Sequence, residues 1–456
     1  RKRRNPASTN VMLLRHWPRS RVSFSAAHRS GKATLALLLA LPAMLLAMAM
    51  AFYAAELVET RTLLRNATDA AALAGVQTFV NDDLLRGNPQ TMSTLIPRAI
   101  LHAQEYAGLN LVFGNSLYLD PTITNDQNAD IVFGTLAYPR STNFILPDLS
   151  NLTQQGQQQG QQAKPEWLTI NTVRVTGQCN GQRPNGPVYL HNGPLLSQMP
   201  NNAVAVSTAT LDRFVIGFRP MGRQPMPLCP LALFSHRPGN MKHCWEYNVE
   251  KRRGRDMHKV RRNGPYHQIL NGPDGLHEMD VFLGTGQGTR QNLNAQLMQG
   301  KFNCCKLHFG SSLIKDLVWQ IVNGVGRVHL SQYGGQLVLG PGNLLEVNGT
   351  PYGPSANSSD GQTLQNALQQ LQSIGIPLLW PCFSSFDKGT NNPVLCGFVA
   401  ARVVRVNGSS GKAKGVTFSV QPCMMATGTA VTDVARVGVG IAKLPNPYIC
   451  KVRLVE

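Results

Sequence analysis

Residues 33–55 read Ala33-Thr-Leu-Ala-Leu-Leu-Leu-Ala-Leu-Pro-Ala-Met-Leu-Leu-Ala-Met-Ala-Met-Ala-Phe-Tyr-Ala-Ala55, 23 positions without a charge. At 1.5 Å per residue a helix of this length spans about 35 Å, enough for the ~30 Å hydrocarbon core of a bilayer. Pro42 lies inside the run, as membrane helices tolerate. Its flanks are unequal. Residues 1–32 carry nine basic side chains and no acid, and the first acid downstream is Glu56. The positive-inside rule then puts the N-terminus in the cytoplasm and residues 56–456 outside it. A cleaved signal peptide ending at Ala47-Met48-Ala49 is the competing reading. A buried core helix is a third, disfavoured by the length and the one-sided charge.

The helical pattern outlasts the apolar run. Leu57, Leu64, Ala67, Ala71 and Ala74 recur on one helical face, which predicts a continuous helix over residues 33–80. Directly after the apolar run stands Asn66-Ala-Thr-Asp-Ala-Ala-Ala-Leu-Ala-Gly75. This segment resembles the signature of TadE/TadG-like pilus-assembly proteins, with Asn66, Asp69, Ala70, Ala71, Leu73 and Gly75 in place. Thr68 departs from the family's Ala. Residues 98–110 are similar to the family's second helix, and residues 130–134, 171–176 and 207–212 to its strands. The resemblance implies a TadG-like, inner-membrane-anchored protein of Flp pilus assembly, with other Tad pilus-assembly proteins as partners. Two family features are missing. Asp148-Leu-Ser-Asn-Leu152 fails as a von Willebrand A metal motif at its last position. A prepilin cut after Gly31 would place Ala36 where the family has Glu, so the chain does not read as a fibre subunit.

The body reads as strand-rich: Gly and Pro are plentiful, at 42 and 29, and charged residues only 15%. The expected fold is α+β, a single N-terminal transmembrane helix extending into a β-strand-rich extracytoplasmic body. Five segments follow: a basic cytoplasmic N-terminus (1–32), the transmembrane helix (33–55), a TadG-like region of two helices then strands (56–220), a basic irregular insertion (221–275) and a β-rich C-terminal region (276–456). A second helix is expected from Pro97 to Ala107, capped by Ser93 or Thr94 and closed by Gly108. Residues 154–162 are a Gln-rich loop. Short strands are expected at 281–283, 328–330 and 337–339, a helix at 361–374, and a hairpin pairing 398–406 with 416–421.

Charge singles out one further segment. Of the net +19, residues 1–32 hold nine and residues 213–262 another nine. In the second stretch Lys251, Arg252, Arg253, Arg255, Lys259, Arg261 and Arg262 stand near Trp245, Tyr247 and Tyr266. Basic clusters beside aromatics bind phosphates and stack on bases. Outside the inner membrane the available anions are lipid headgroups, lipopolysaccharide, cell-wall polymers and incoming DNA. The bland alternative is a solvated loop, and nucleic acid is not the expected partner.

The remaining chemistry is thin. His236, His243, Cys244 and His258 lack the paired spacing of a zinc site. Gly284-Thr-Gly-Gln-Gly288 lacks the context of a phosphate loop. Asn348-Gly-Thr and Asn357-Ser-Ser match a glycosylation sequon. Nine Cys form no Cys-x-x-Cys pair, and in an extracytoplasmic body some are expected in disulfides. No cofactor, metal or catalytic constellation is expected. The leading reading is a non-enzymatic, membrane-anchored accessory protein of pilus assembly. The alternative is an envelope-anchored polyanion- or DNA-binding module using residues 242–262. A hydrolase finds no competent constellation.

Overall fold

The computed structural model describes residues 30–87, 90–122, 126–141, 143–147, 170–180, 184–186, 202–235, 241–263, 266–285, 292–407, 415–433, 435 and 445–455. The basic N-terminus through residue 29, the Asp148–Leu152 motif, the Gln-rich run and His236 lie outside them. The chain is mixed α+β and divides into two compact units, residues 1–57 with 190–197, and residues 58–189 with 198–456.

Helix α1 runs Ser30–Gln77 with Pro42 inside it. In the first unit its side chains from Ala36 onward are almost all exposed, Leu37, Leu39 and Met44 by two-thirds or more. It is long and apolar enough to cross a membrane. From Val58 the helix belongs to the second unit and changes character. Leu64, Ala67, Ala71 and Ala72 are fully buried, and Leu57 and Ala74 partly. The predicted face is the packed one, with helix ends shifted by three residues.

Helix α2 (Gln90–Leu109) starts earlier than Pro97 and contains it. The buried stripe Met92, Leu95, Ile96, Ala99, Ile100, Ala103 and Ala107 keeps helical spacing across the proline. That burial outweighs the ~3 kcal/mol that an interior proline costs a helix. Gly108 falls inside the helix rather than closing it.

Strands β1 (Ile131–Leu136), β2 (Thr172–Cys179) and β3 (Ala203–Asp212) follow, then β4 (Leu231–Phe234), β5 (Met279–Phe282), β6 (Cys304–Leu307), β7 (Leu378–Phe386), β8 (Pro393–Asn407), β9 (Thr417–Pro422) and β10 (Ile449–Val455). They build two main sheets. The first has six strands, in the order Met425–Ala426, β10, β3, β2, β1, Phe144–Ile145. The second has eight, led by the path Gly349–Thr350, β6, β4, β7, β8, β9, β5. The expected hairpin is β8–β9, paired antiparallel from Ala401↔Pro422 to Asn407↔Thr417.

Residues 221–275, expected to be an irregular insertion, contain three strands among their described residues. β4 sits inside the second sheet, paired with β6 on one side and β7 on the other. Trp245 is 1% exposed in the same core, its indole N–H donating to the Tyr448 hydroxyl at 3.2 Å. Strands His258–Asn263 and Tyr266–Asn271 make a separate hairpin. Exposed charged side chains, Lys251, Arg252, Arg253, Arg255, Lys259 and Arg261 among them, mask the strand pattern in this segment. Residues 328–330 form a turn rather than a strand.

β7 breaks a usual rule, because Pro381 lies in an interior strand. Its neighbour on one side bridges at Leu379 through Leu228 and resumes at Cys382 through Leu233. The proline, lacking a backbone donor, occupies the interval between. All nine cysteines are free thiols, eight of them buried, so the expected disulfides do not form. These side chains fill core positions as small hydrophobes.

Candidate functional site

The signature segment seats α1 on the first sheet. Gly75 is where helix, sheet and second helix meet: a Cβ there would stand 3.2 Å from Val173 Cγ1 and 3.6 Å from Ala103 Cβ. Across the interface Gly177 in β2 makes room for Thr68, whose Cγ2 would be 2.7 Å from an added Cβ. Thr68 is fully buried, and its hydroxyl hydrogen-bonds Ser207 Oγ at 2.7 Å. Ala71 is buried, Asp69 is half-buried and Asn66 exposed.

Ala70 and Leu73 turn instead toward a cleft of about 1,100 Å³ between the two helices and the hairpin and strand ends of the body. Its floor is the short 3-10 turn Asp82–Arg86 linking α1 to α2. That turn is clamped by charge. Asp82 accepts from Arg402 Nη1 at 2.5 Å and from the Met424 backbone N–H at 2.6 Å. Arg86 pairs with Asp83, and with Asp274 at 3.3 Å. Burial holds the Asp274 carboxyl above its usual range, against the Leu276 N–H and Arg86, which pull it down. Asp274 also accepts from Gln421 Nε2 at 3.2 Å. Arg98, His102, Glu105 and Tyr106 of α2 complete the wall.

The cleft therefore mixes both signs of charge with an apolar strip of Ala70, Leu73, Leu276 and Met424. Such a lining suits a polypeptide surface, with hydrophobic contact inside and polar contact at the rim. It is not an anion trap. Among the described residues no group of His, Cys, Asp and Glu has the geometry to hold a metal ion.

The basic segment is dispersed by the fold. Lys251 pairs with Glu246 at 3.0 Å, and Arg255 lies 3.7 Å from Asp280. Arg252 donates to the carbonyls of Leu85 and Arg86, at 3.3 and 2.8 Å, and so fastens the same 3-10 turn. Arg253, Lys259 and Arg261 are exposed, the last two on one face of the hairpin. Arg262 lies in that hairpin with its side chain outside the described residues. Trp245 cannot stack on a base, because it is core. His258 donates to or accepts from Glu278 Oε1 at 2.9 Å, Cys244 is buried, and His243 packs edge-on against Phe282, so these three are not convergent.

Sequence reasoning missed Asp82, Asp274 and Arg402, the centre of the clamp. They are 128 to 320 positions apart in sequence, and only Asp82 stands near a motif. Comparison with protein-family models, with curated proteins and with solved structures finds no match to this chain.

Proposed function

We propose that this chain is a membrane-anchored, non-enzymatic accessory protein of Tad/Flp-type pilus assembly. In this reading α1 crosses the inner membrane with its N-terminus in the cytoplasm, and the body works outside as a docking platform for other pilus-assembly proteins. One observation carries the proposal. The signature-like segment sits directly after the apolar helix, and its residues divide between two tasks. Gly75 seats the helix against Val173 of the sheet and Ala71 is buried, while Ala70 and Leu73 line the cleft.

The test is a pair of cleft variants, Ala70→Arg and Leu73→Arg, in a piliated host. Both positions are half-buried at the cleft edge, so a long charged side chain can reach solvent. Pilus number and surface attachment are expected to fall at least tenfold while the protein persists in the membrane fraction. Unchanged piliation with normal protein levels would sink the reading. The polyanion alternative keeps Arg253, Lys259 and Arg261 as exposed cations; their joint reversal to Glu should sharply weaken retention on heparin if that alternative is right and leave it unchanged otherwise.

A further inference from the structure

A second, smaller cavity lies in the second unit, far in sequence from the signature. It measures about 470 Å³, within the usual range for small-molecule sites. It is bordered by the chain leaving β6, the 3-10 turn Ser331–Tyr333, the short strand Gly349–Thr350 with its flanks, the turn entering β8 and Leu293 at the start of a helix. None of its lining side chains carries a formal charge at neutral pH. His308, Gln332, Asn348, Thr350 and Asn392 are among its polar lining side chains, and Ser312 is exposed.

These groups are held before any ligand arrives. Asn392 Nδ2 donates to Glu346 Oε1 at 2.9 Å and to Asn348 Oδ1 at 3.2 Å. Gln332 Nε2 donates to the His308 carbonyl at 3.0 Å. The Tyr333 hydroxyl accepts the Asn348 backbone N–H at 3.0 Å. Thr390 is fixed by Glu346 and Asp387. Asn391, at the turn, holds a positive φ of 58°, a conformation that Asn accommodates readily in turns. The His308 ring belongs to the same lining, with its Nε2 itself buried and without a hydrogen-bond partner among the described residues. Burial lowers its pKa, and Lys306 pushes the same way, so the ring is neutral.

Ligand classes can be eliminated by chemistry. A phosphate or carboxylate would find no cation in the lining, and a cation no carboxylate. A lipid or flat aromatic would find only Leu293 and Pro351 as apolar lining. What amides, hydroxyls and a neutral imidazole match is a ligand whose every group both donates and accepts. Paired hydroxyls on a sugar ring do this, and their desolvation is compensated only by such matched partners.

We propose that this cavity is a saccharide-binding site that takes a neutral sugar unit of a glycan. The proposal is independent of the pilus reading, since sugar binding is read on the purified chain.

The full chain in detergent would be titrated calorimetrically with maltotetraose, cellotetraose and tetra-N-acetylchitotetraose. Saturable binding of at least one is expected. Ser312→Trp fills the mouth from an exposed position and should weaken that binding at least tenfold, with an unchanged melting temperature. Thr350→Val, removing one lining hydroxyl, should weaken it several-fold. No heat from any of the three sugars at millimolar concentration would overturn the proposal. So would wild-type affinity in the Ser312→Trp variant, which would put the sugar elsewhere. Because the readout is binding rather than piliation, failure here leaves the cleft variants to be judged separately.

Discussion

Thr68 shows how one side chain can depart from a family-like pattern and be repaid by its neighbours. Its methyl fits beside Gly177 and its hydroxyl meets Ser207. Thr68→Ala would restore the pattern but leave Ser207 Oγ, on a residue only 4% exposed, without that bond. The expected cost is about 1–3 kcal/mol, the range for a buried polar group stripped of its partner. Thr68→Ala combined with Ser207→Ala should recover most of it, because the two positions share one interaction. Denaturant unfolding of the four proteins checks this; additive losses in the double variant would refute it. Such a pairing was not legible in sequence, since Thr68 and Ser207 lie 139 positions apart. What was legible was the small-residue spacing around them.

At the scale of elements, the connection from α1 to α2 is the informative piece. Read from sequence it is a loop around Gly87-Asn88-Pro89. Folded, its first part is a 3-10 turn capped by Asn81, whose Oδ1 accepts from the Asp83 N–H, and stopped by Gly87 in the left-handed region. The second sheet reaches it through Arg402, which is 4% exposed and set in β8. Arg402→Met would leave the Asp82 carboxylate without its cation, keeping only the Met424 backbone N–H. Removing one partner of a buried pair typically costs about 3–5 kcal/mol, and Asp82 is partly solvated, so about 3 kcal/mol is expected. Backbone amides of residues 82–87 should then exchange faster than those of α2. If exchange at 82–87 matches that of the unsubstituted protein, Arg402 does not hold the turn. Sequence reading gave the pairing of 398–406 with 416–421, and β8 and β9 are that pair, with β8 starting earlier at Pro393; both are near-continuous apolar runs within a short window of sequence. It gave no sign that Arg402 would be drawn inward, because its partner is 320 positions away.

For the whole molecule, the cysteines supply the test. Cys304, Cys305 and Cys382 are buried thiols with pKa values well above their ordinary value, chiefly through desolvation. The same cause raises Cys396 and Cys450 to about 11 and Cys423 to about 12. Attack on an electrophile requires the thiolate, so native labelling by a maleimide should be slow throughout. In denaturant all nine should react without prior reduction. Mass spectrometry counts the adducts directly, and a requirement for reductant would contradict the free thiols. The expectation of disulfides rested on compartment alone, and the packing answers differently.

The sequence by itself determined the features carried by contiguous residues. These are the apolar helix long enough for a membrane, its packed continuation through Gly75, the strand-rich α+β body and the helix Ser359–Ile374. Each follows from periodicity or length within one segment. The tertiary structure alone decided where the basic segment's charges go, which cysteines lie near which strands, and how the two cavities are lined. Those outcomes depend on pairings between residues tens to hundreds of positions apart. Residues 221–275 are the clearest case. Their composition resembles an insertion, yet β4 and Trp245 are core, because burial is set by the neighbours a fold supplies.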